Sequence, residues 1–220
     1  FHRVSDFSLK RADITIVTNK YLQDFVNEKG GKAFILPDKL PDFASPVVEK
    51  ENDKKVVTFV STFSDDEPIF EVVAAASLLP QEYVIYITGS FKKFKRLEEL
   101  KERLPSNVVL TGFLPEKNYQ NRLASSDAIM VITTLEYTLT CGAYEAISLD
   151  KPMLLGNTKT IMEFFNKGAL YTSIDPVEIA ARLVELFENI ESLKQQVLLL
   201  KREMNVSWAE QFKEIVANID

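Results

Sequence analysis

The chain is poor in the residues from which most metal and cofactor sites are built. Its 220 residues include one cysteine, Cys141, and one histidine, His2. A single cysteine excludes an intrachain disulfide and agrees with a reducing compartment. One Cys and one terminal His exclude a Cys/His metal centre, and neither a metal nor a cofactor is expected. Glycine is scarce, at seven residues, and neither G-x-G-x-x-G nor G-x-x-x-x-G-K-[ST] occurs. A glycine-rich phosphate cradle of the dinucleotide or P-loop kind is therefore excluded. Basic residues are outnumbered, with 26 Lys and Arg against 32 Asp and Glu and a formal charge of −6. That balance argues against a nucleic-acid partner, which needs clustered Lys and Arg. No apolar run approaches the length of a membrane span. No signal-peptide pattern opens the chain. The expected location is the cytoplasm, free or peripheral at a membrane. The sequence starts "FHRVSDFSLK", without methionine, which suggests a fragment, a processed product or a trimmed chain.

What is present has the composition of an ordinary globular protein, 46% hydrophobic and 26% charged. Near the start, "ADITIVTN" alternates apolar and polar residues, "KYLQDFVNEKGG" reads as an amphipathic helix stopped by glycines, and "KAFILP" reads as a strand. This β-α-β unit occupies residues 1–44. The proline-rich and charged stretch 45–54 reads as a linker. From residue 55 short β-branched runs alternate with helical patterns: "KVVTFVS", "YVIYITG", "NVVLTG", "AIMVIT", "PMLLG" and "ALYTS". Such alternation predicts a parallel sheet covered on both faces, an α/β Rossmann-like doubly wound domain over residues 55–205. "PVEIAARLVELFENI" and two further helices complete the chain, the last over 206–220.

Ligands of doubly wound sheets sit at the carboxyl ends of the strands. The segment "TLTCGAYEAISLDKP", residues 138–152, is the best candidate there. A helix beginning near Cys141 and Gly142 turns unpaired N–H groups and its positive dipole end toward that crevice, a setting that attracts phosphate. Thr138 and Thr140 add hydroxyl donors, and Gly142 permits close approach to the backbone. Glu145, one turn in, can accept from two neighbouring hydroxyls such as a ribose diol. An acid in a first helical turn is also an ordinary dipole partner, so both roles stand open. Ser61 and Thr62 end the first of the six strands, as phosphate donors or as helix caps. Lys92, Lys93, Lys95 and Arg96 follow the second as candidate diphosphate partners or as a solvated basic loop. Asp65, Asp66 and Glu67 are read as caps rather than as metal ligands. Tyr119 either stacks on a base or packs on a helix face. Lys159 is read as exposed, Cys141 as inert packing, and His2 as without a role.

The order "TGFL", a helix ending in "SSDA", a strand, an acid-containing loop and then "EA-x-x-x-x-KP" resembles the C-terminal half of a GT-B retaining glycosyltransferase (group 1, family 4 type). The resemblance implies that Glu145 binds the ribose of a nucleotide sugar, and that Gly112, Phe113 and Leu114 lie against its base. It implies that the loop Thr138–Ala143, with Thr140, Cys141, Gly142 and the following Tyr144, meets the donor sugar and diphosphate. Ser61, Thr62 and Gly89 complete the expected binding residues. The family's Glu-x7-Glu pattern is displaced: Tyr137 stands at the first acid, and a one-residue shift makes Glu136 the catalytic candidate. The Arg and Lys that the family often carries after the first strand are absent from "STFSDDEPIF". The implied function is glycosyl transfer from a UDP- or GDP-sugar to a glycan or lipid-linked acceptor held by an N-terminal domain. Residues 1–44 resemble the last piece of that domain, and the helix with Trp208 resembles one that crosses back toward it. The expected partners are the remainder of that domain or a second copy. The alternatives are a non-catalytic nucleotide-sugar-binding or assembly module, and a GT-B nucleotide-sugar epimerase.

Overall fold

The computed structural model describes residues 2–43, 45–51 and 53–218, with side chains from residue 7 onward. The expectation for His2 concerns a side chain outside the described residues, and Ala44, the end of the expected 1–44 unit, and Asn52, in the expected linker, also lie outside them. The chain divides into two compact units, one of residues 1–40 with 202–220 and one of residues 41–201.

The smaller unit contains α1 (His2–Arg11), β1 (Thr15–Val17), α2 (Lys20–Glu28) and β2 (Ala33–Ile35). β1 and β2 pair in parallel, with Thr15 opposite Ala33. The alternation read in the sequence puts Val17, Val26 and Ala33 in a small core, against Leu9, Leu22 and Ile35. The side chain of Asn19 caps α2 by accepting from the Leu22 amide at 3.0 Å. The last part of the final helix α9 (Ile190–Ala217) belongs to this unit. There the Trp208 indole N–H donates to the Pro37 carbonyl at 3.0 Å and the ring stacks on Phe212. One continuous helix of 28 residues stands where two were expected, because no glycine or proline interrupts 190–217.

The larger unit holds six parallel strands: β3 (Lys55–Phe59), β4 (Tyr83–Thr88), β5 (Val108–Gly112), β6 (Ala128–Val131), β7 (Met153–Gly156) and β8 (Ala169–Thr172). Their order in space is β5-β4-β3-β6-β7-β8. The connecting helices are α3 (Ile69–Ala76), α4 (Leu97–Glu102), α5 (Glu116–Ser125), α6 (Cys141–Ser148) and α7 (Lys159–Phe164), and α8 (Pro176–Glu188) follows the sheet. This is the doubly wound Rossmann-like order, with its switch point between β3 and β6. Right-handed crossovers in opposite directions from that point place helices on both faces. All four residues of β6 and of β7 are buried, as a strand covered on both faces requires. Phe59, Ile85, Ile87, Met130 and Leu154 form the sheet's share of the main core, and Val72, Ile179 and Leu183 form the helices' share. Among the described residues no helix is long and apolar enough to cross a membrane.

The Lys-Pro that follows α6 has a structural function. The Lys151 ammonium donates to the carbonyls of Ala124 and Ser126, at 2.7 Å each, at the end of α5. Those carbonyls carry the negative end of the helix dipole, and a cation satisfies both. Burial, followed by the nearby charge of Lys50, lowers the lysine pKa to about 8. Replacing Lys151 by Met leaves both carbonyls without their donor and is expected to cost about 1–3 kcal/mol at pH 7. Between about pH 8 and an exposed lysine's 10.5, the unfolded chain binds more protons at this site than the folded chain. Wild-type stability at this site therefore rises through that window, and the gap to Lys151→Met widens. Urea unfolding from pH 7 to 10 measures both effects.

Candidate functional site

The carboxyl ends of β3 and β6 diverge at the switch point, and the loops that leave them are tied together. After β3 the chain reads Ser61 to Pro68, and α3 begins at Ile69 with Pro68 in the cap position and no side-chain cap. Glu67 folds back instead. Its carboxylate accepts from the Ser61 hydroxyl at 2.9 Å, the Thr62 amide at 2.9 and 3.0 Å, the Thr62 hydroxyl at 3.2 Å and the Ser64 amide at 3.1 Å. Ser61 is 5% exposed. The donors that Ser61 and Thr62 offer at the strand end are thus already bound to an internal anion. Asp66 reaches across the switch point. Its carboxylate accepts from the Thr133 hydroxyl at 2.5 Å, and its carbonyl accepts from the Thr134 amide at 3.0 Å. Burial pushes the Asp66 pKa up, but hydrogen bonds from Ser64 and Thr133 outweigh it and hold the group below the ordinary carboxylate value. Asp66 and Glu67 thus tie the loop to the strand ends, where the sequence reading expected caps for the helix that follows.

Gly89 follows β4 with a φ of +107°, and a Cβ there would lie 2.2 Å from the Ser61 carbonyl. The two strand ends can approach this closely only without a side chain. Beyond it, Lys92, Lys93 and Lys95 are exposed and, among the described residues, form no ion pair. Arg96 pairs with Glu99 at 2.7 Å and lies over the Phe70 ring at 3.9 Å. At the end of β5, Gly112 has a φ of +69°, Phe113 is 76% exposed and Leu114 is half-buried.

The segment between β6 and α6 carries most of the remaining candidates. Glu136 accepts from the amides of Thr160 at 3.0 Å and Lys159 at 3.2 Å, so it caps the start of α7. The Thr160 amide bond is the main cause of its lowered pKa. Tyr137, at the displaced acid position, has a φ of +68°, which non-glycine residues rarely adopt. Thr138 is half-buried. Thr140 precedes α6, and its side chain does not cap the helix. Its hydroxyl is buried and, among the described residues, has no hydrogen-bond partner. Cys141 is exposed. Gly142 lies against the sheet, where a Cβ would meet Val131 at 2.9 Å and Val60 at 3.0 Å. Ala143 and Tyr144 turn inward, and the Tyr144 ring, 2% exposed, packs edge-on against Phe165.

Glu145 is half-buried and accepts from the Tyr119 hydroxyl at 2.5 Å through Oε2. Among the described residues its Oε1 accepts from no group. Burial raises the Glu145 pKa, and the bond from Tyr119 opposes that rise. The sequence reading weighed Tyr119 as a base stacker or as helix packing, and missed this pairing. No local pattern marks it, since 26 residues separate the partners. Asp66 and Thr133 were missed in the same way.

The family model described as glycosyl transferases group 1 matches residues 42–201. The chain belongs to this family. The fold of this group 1 chain is also that of solved GT-B glycosyltransferases. HepE of Anabaena, solved with UDP and glucose, aligns over 98% of this chain and 66% of its own, at 15% identity and a TM-score of 0.76. The sucrose-phosphate synthase of Thermosynechococcus elongatus aligns over 98% and 61%, at 17% identity and a TM-score of 0.74. A TarM variant of S. aureus, solved with fondaparinux, alpha-GlcNAc-glycerol and UDP, aligns over 100% and 46%, at 16% identity and a TM-score of 0.74. This chain therefore spans less than two thirds of the length of each of these structures. No curated protein matches it by sequence.

The cap on α7 supplies a test. Because the folded pKa of Glu136 is lowered, its contribution is complete above the ordinary glutamate value and is lost as the pH falls through the folded value. Glu136→Ala is expected to raise amide hydrogen exchange at Lys159 and Thr160 at pH 7. As the pH falls below the ordinary glutamate value of 4.5, the difference between the variant and the wild type there should shrink.

Proposed function

We propose that this chain is the donor-binding half of a glycosyltransferase that takes a nucleotide-diphosphate sugar, UDP- or GDP-linked. The observation that carries the reading is a set of unfilled hydrogen-bonding groups at one helix start. Among the described residues Glu145 keeps Oε1 unpartnered, the Thr140 hydroxyl is buried and unsatisfied, and no side chain caps α6. Helix dipole and amides suit a diphosphate, and a carboxylate suits a diol. Thr138, Thr140, Cys141 and Gly142 face the phosphates in this reading, with Ala143 and Tyr144 contributing backbone only. Gly112, Phe113 and Leu114 lie against the base, and Gly89 leaves room beside Ser61 and Thr62. Glu136 acts beside the donor sugar from the position that α7 gives it. HepE and the TarM variant, whose structures contain UDP, support a nucleotide ligand. The acceptor, a glycan or a lipid-linked glycan, is held by an N-terminal domain, of which residues 1–44 are the last part, or by a second copy. In this reading the reaction takes place in the cytoplasm, free or at a membrane surface.

A binding module without turnover is the second reading. It is favoured by Glu67, which occupies the donors of Ser61 and Thr62, and by Glu136, which is engaged with α7.

Titration calorimetry with UDP, GDP and ADP tests the donor site. Loss of hydrogen bonds to a charged acceptor in Glu145→Ala is expected to weaken the best nucleotide by about tenfold to a hundredfold. Unchanged affinity would remove the basis of the assignment. The chain alone should transfer no sugar. Efficient turnover by it would refute the half-enzyme reading, and failure of the full-length protein to turn over would favour the binding module.

A further inference from the structure

We propose that Tyr119 is a positioning residue for the ligand carboxylate, fixing Glu145 with Oε2 bound and Oε1 presented to the nucleotide's ribose. The inference rests on the reading of Glu145 just given, and it adds a residue from a different helix to that site.

The geometry is specific. Tyr119 lies in the first turn of α5, directly after the turn Gly112–Pro115, and Glu145 lies in α6. The hydroxyl donates to Oε2 at 2.5 Å. Both residues are half-buried. A carboxylate in such a place has two routes to lower energy: it can rotate toward water or take up a proton. The phenol bond closes the first by fixing the side chain, and opposes the second by stabilising the charge. A diol presents two donors and needs a charged acceptor already aligned, because turning a loose side chain costs binding energy.

The surroundings leave Tyr119 as the group that does this. On α6 itself Cys141 lies one turn before Glu145 and acts electrostatically on Tyr119. The strands packed against α6, β6 and β7, carry apolar side chains. On α5, Arg122 is paired with Glu51 at 3.2 Å, and Glu116 and Lys117 are exposed. Burial and the Tyr119 bond are the two influences on the Glu145 charge. Removing the phenol therefore moves the Glu145 titration upward.

The experiment compares the tightest of UDP, GDP and ADP with its 2′-deoxy counterpart, on the 220-residue chain. The affinity ratio is measured by calorimetry from pH 5 to 8. The ratio cancels the titration of the diphosphate, which both ligands share. Wild type is expected to prefer the ribonucleotide by about tenfold, with the preference falling at the acid end of the range. Tyr119→Phe should bind the deoxynucleotide within twofold of wild type. It should lose most of the ribonucleotide preference at pH 6, and recover part of it at pH 8. Preference and midpoint unchanged in Tyr119→Phe would overturn the positioning role. Equal weakening of both nucleotides would also overturn it, since that is what a merely structural tyrosine would give. If wild type itself shows no preference for the ribonucleotide, the reading of Glu145 fails instead, and this inference with it.

Discussion

The parallel pairing of β3 with β6 is the constraint on which the site depends. The two strands lie about seventy residues apart in the chain, yet Val57 to Phe59 run beside Ala128 to Met130. One strand sends its chain to β4 on one side, and the other sends its chain to β7 on the opposite side. Connections that part in this way open a crevice at the carboxyl ends that no single loop could make. The crevice then needs cross-links to keep its shape. Asp66 supplies them, bonded to Thr133 and Thr134 across the divide.

Close packing sets the height of α6 above the sheet. Gly142 lets the helix settle against Val60 and Val131, and any larger residue would lift its first turn. Tyr144 and Ala143 anchor the same turn from the other side, in the interior. The backbone at the helix start is thereby held at a fixed place, with Glu145 one turn further on. A group positioned by rigid elements keeps its geometry better than one on a loop.

Much of this was legible in the sequence. The six strands of the sheet stood out as short apolar runs, and the central ones, β3, β6 and β7, bury almost without interruption because both faces of the sheet are covered there. Glu145 and Thr140 were singled out as candidates by the logic of a helix start, which is local. What escaped was non-local. The bond between Tyr119 and Glu145, and that between Asp66 and Thr133, join residues on different elements and leave no trace in spacing. Glu67 was read as a cap for the helix that follows, but it turns back to the strand that precedes it. The final helix was read as two, although no glycine or proline in its sequence stops it.

The internal carboxylate of Glu67 has a consequence for how a charged molecule arrives. With Asp65 and Asp66 beside it, the wall of the crevice below β3 carries a negative potential before any visitor appears. If the start of α6 holds a diphosphate, as proposed, an approaching polyanion is repelled from this wall, and these acids bear on the rate of encounter as well as on the strength of the complex.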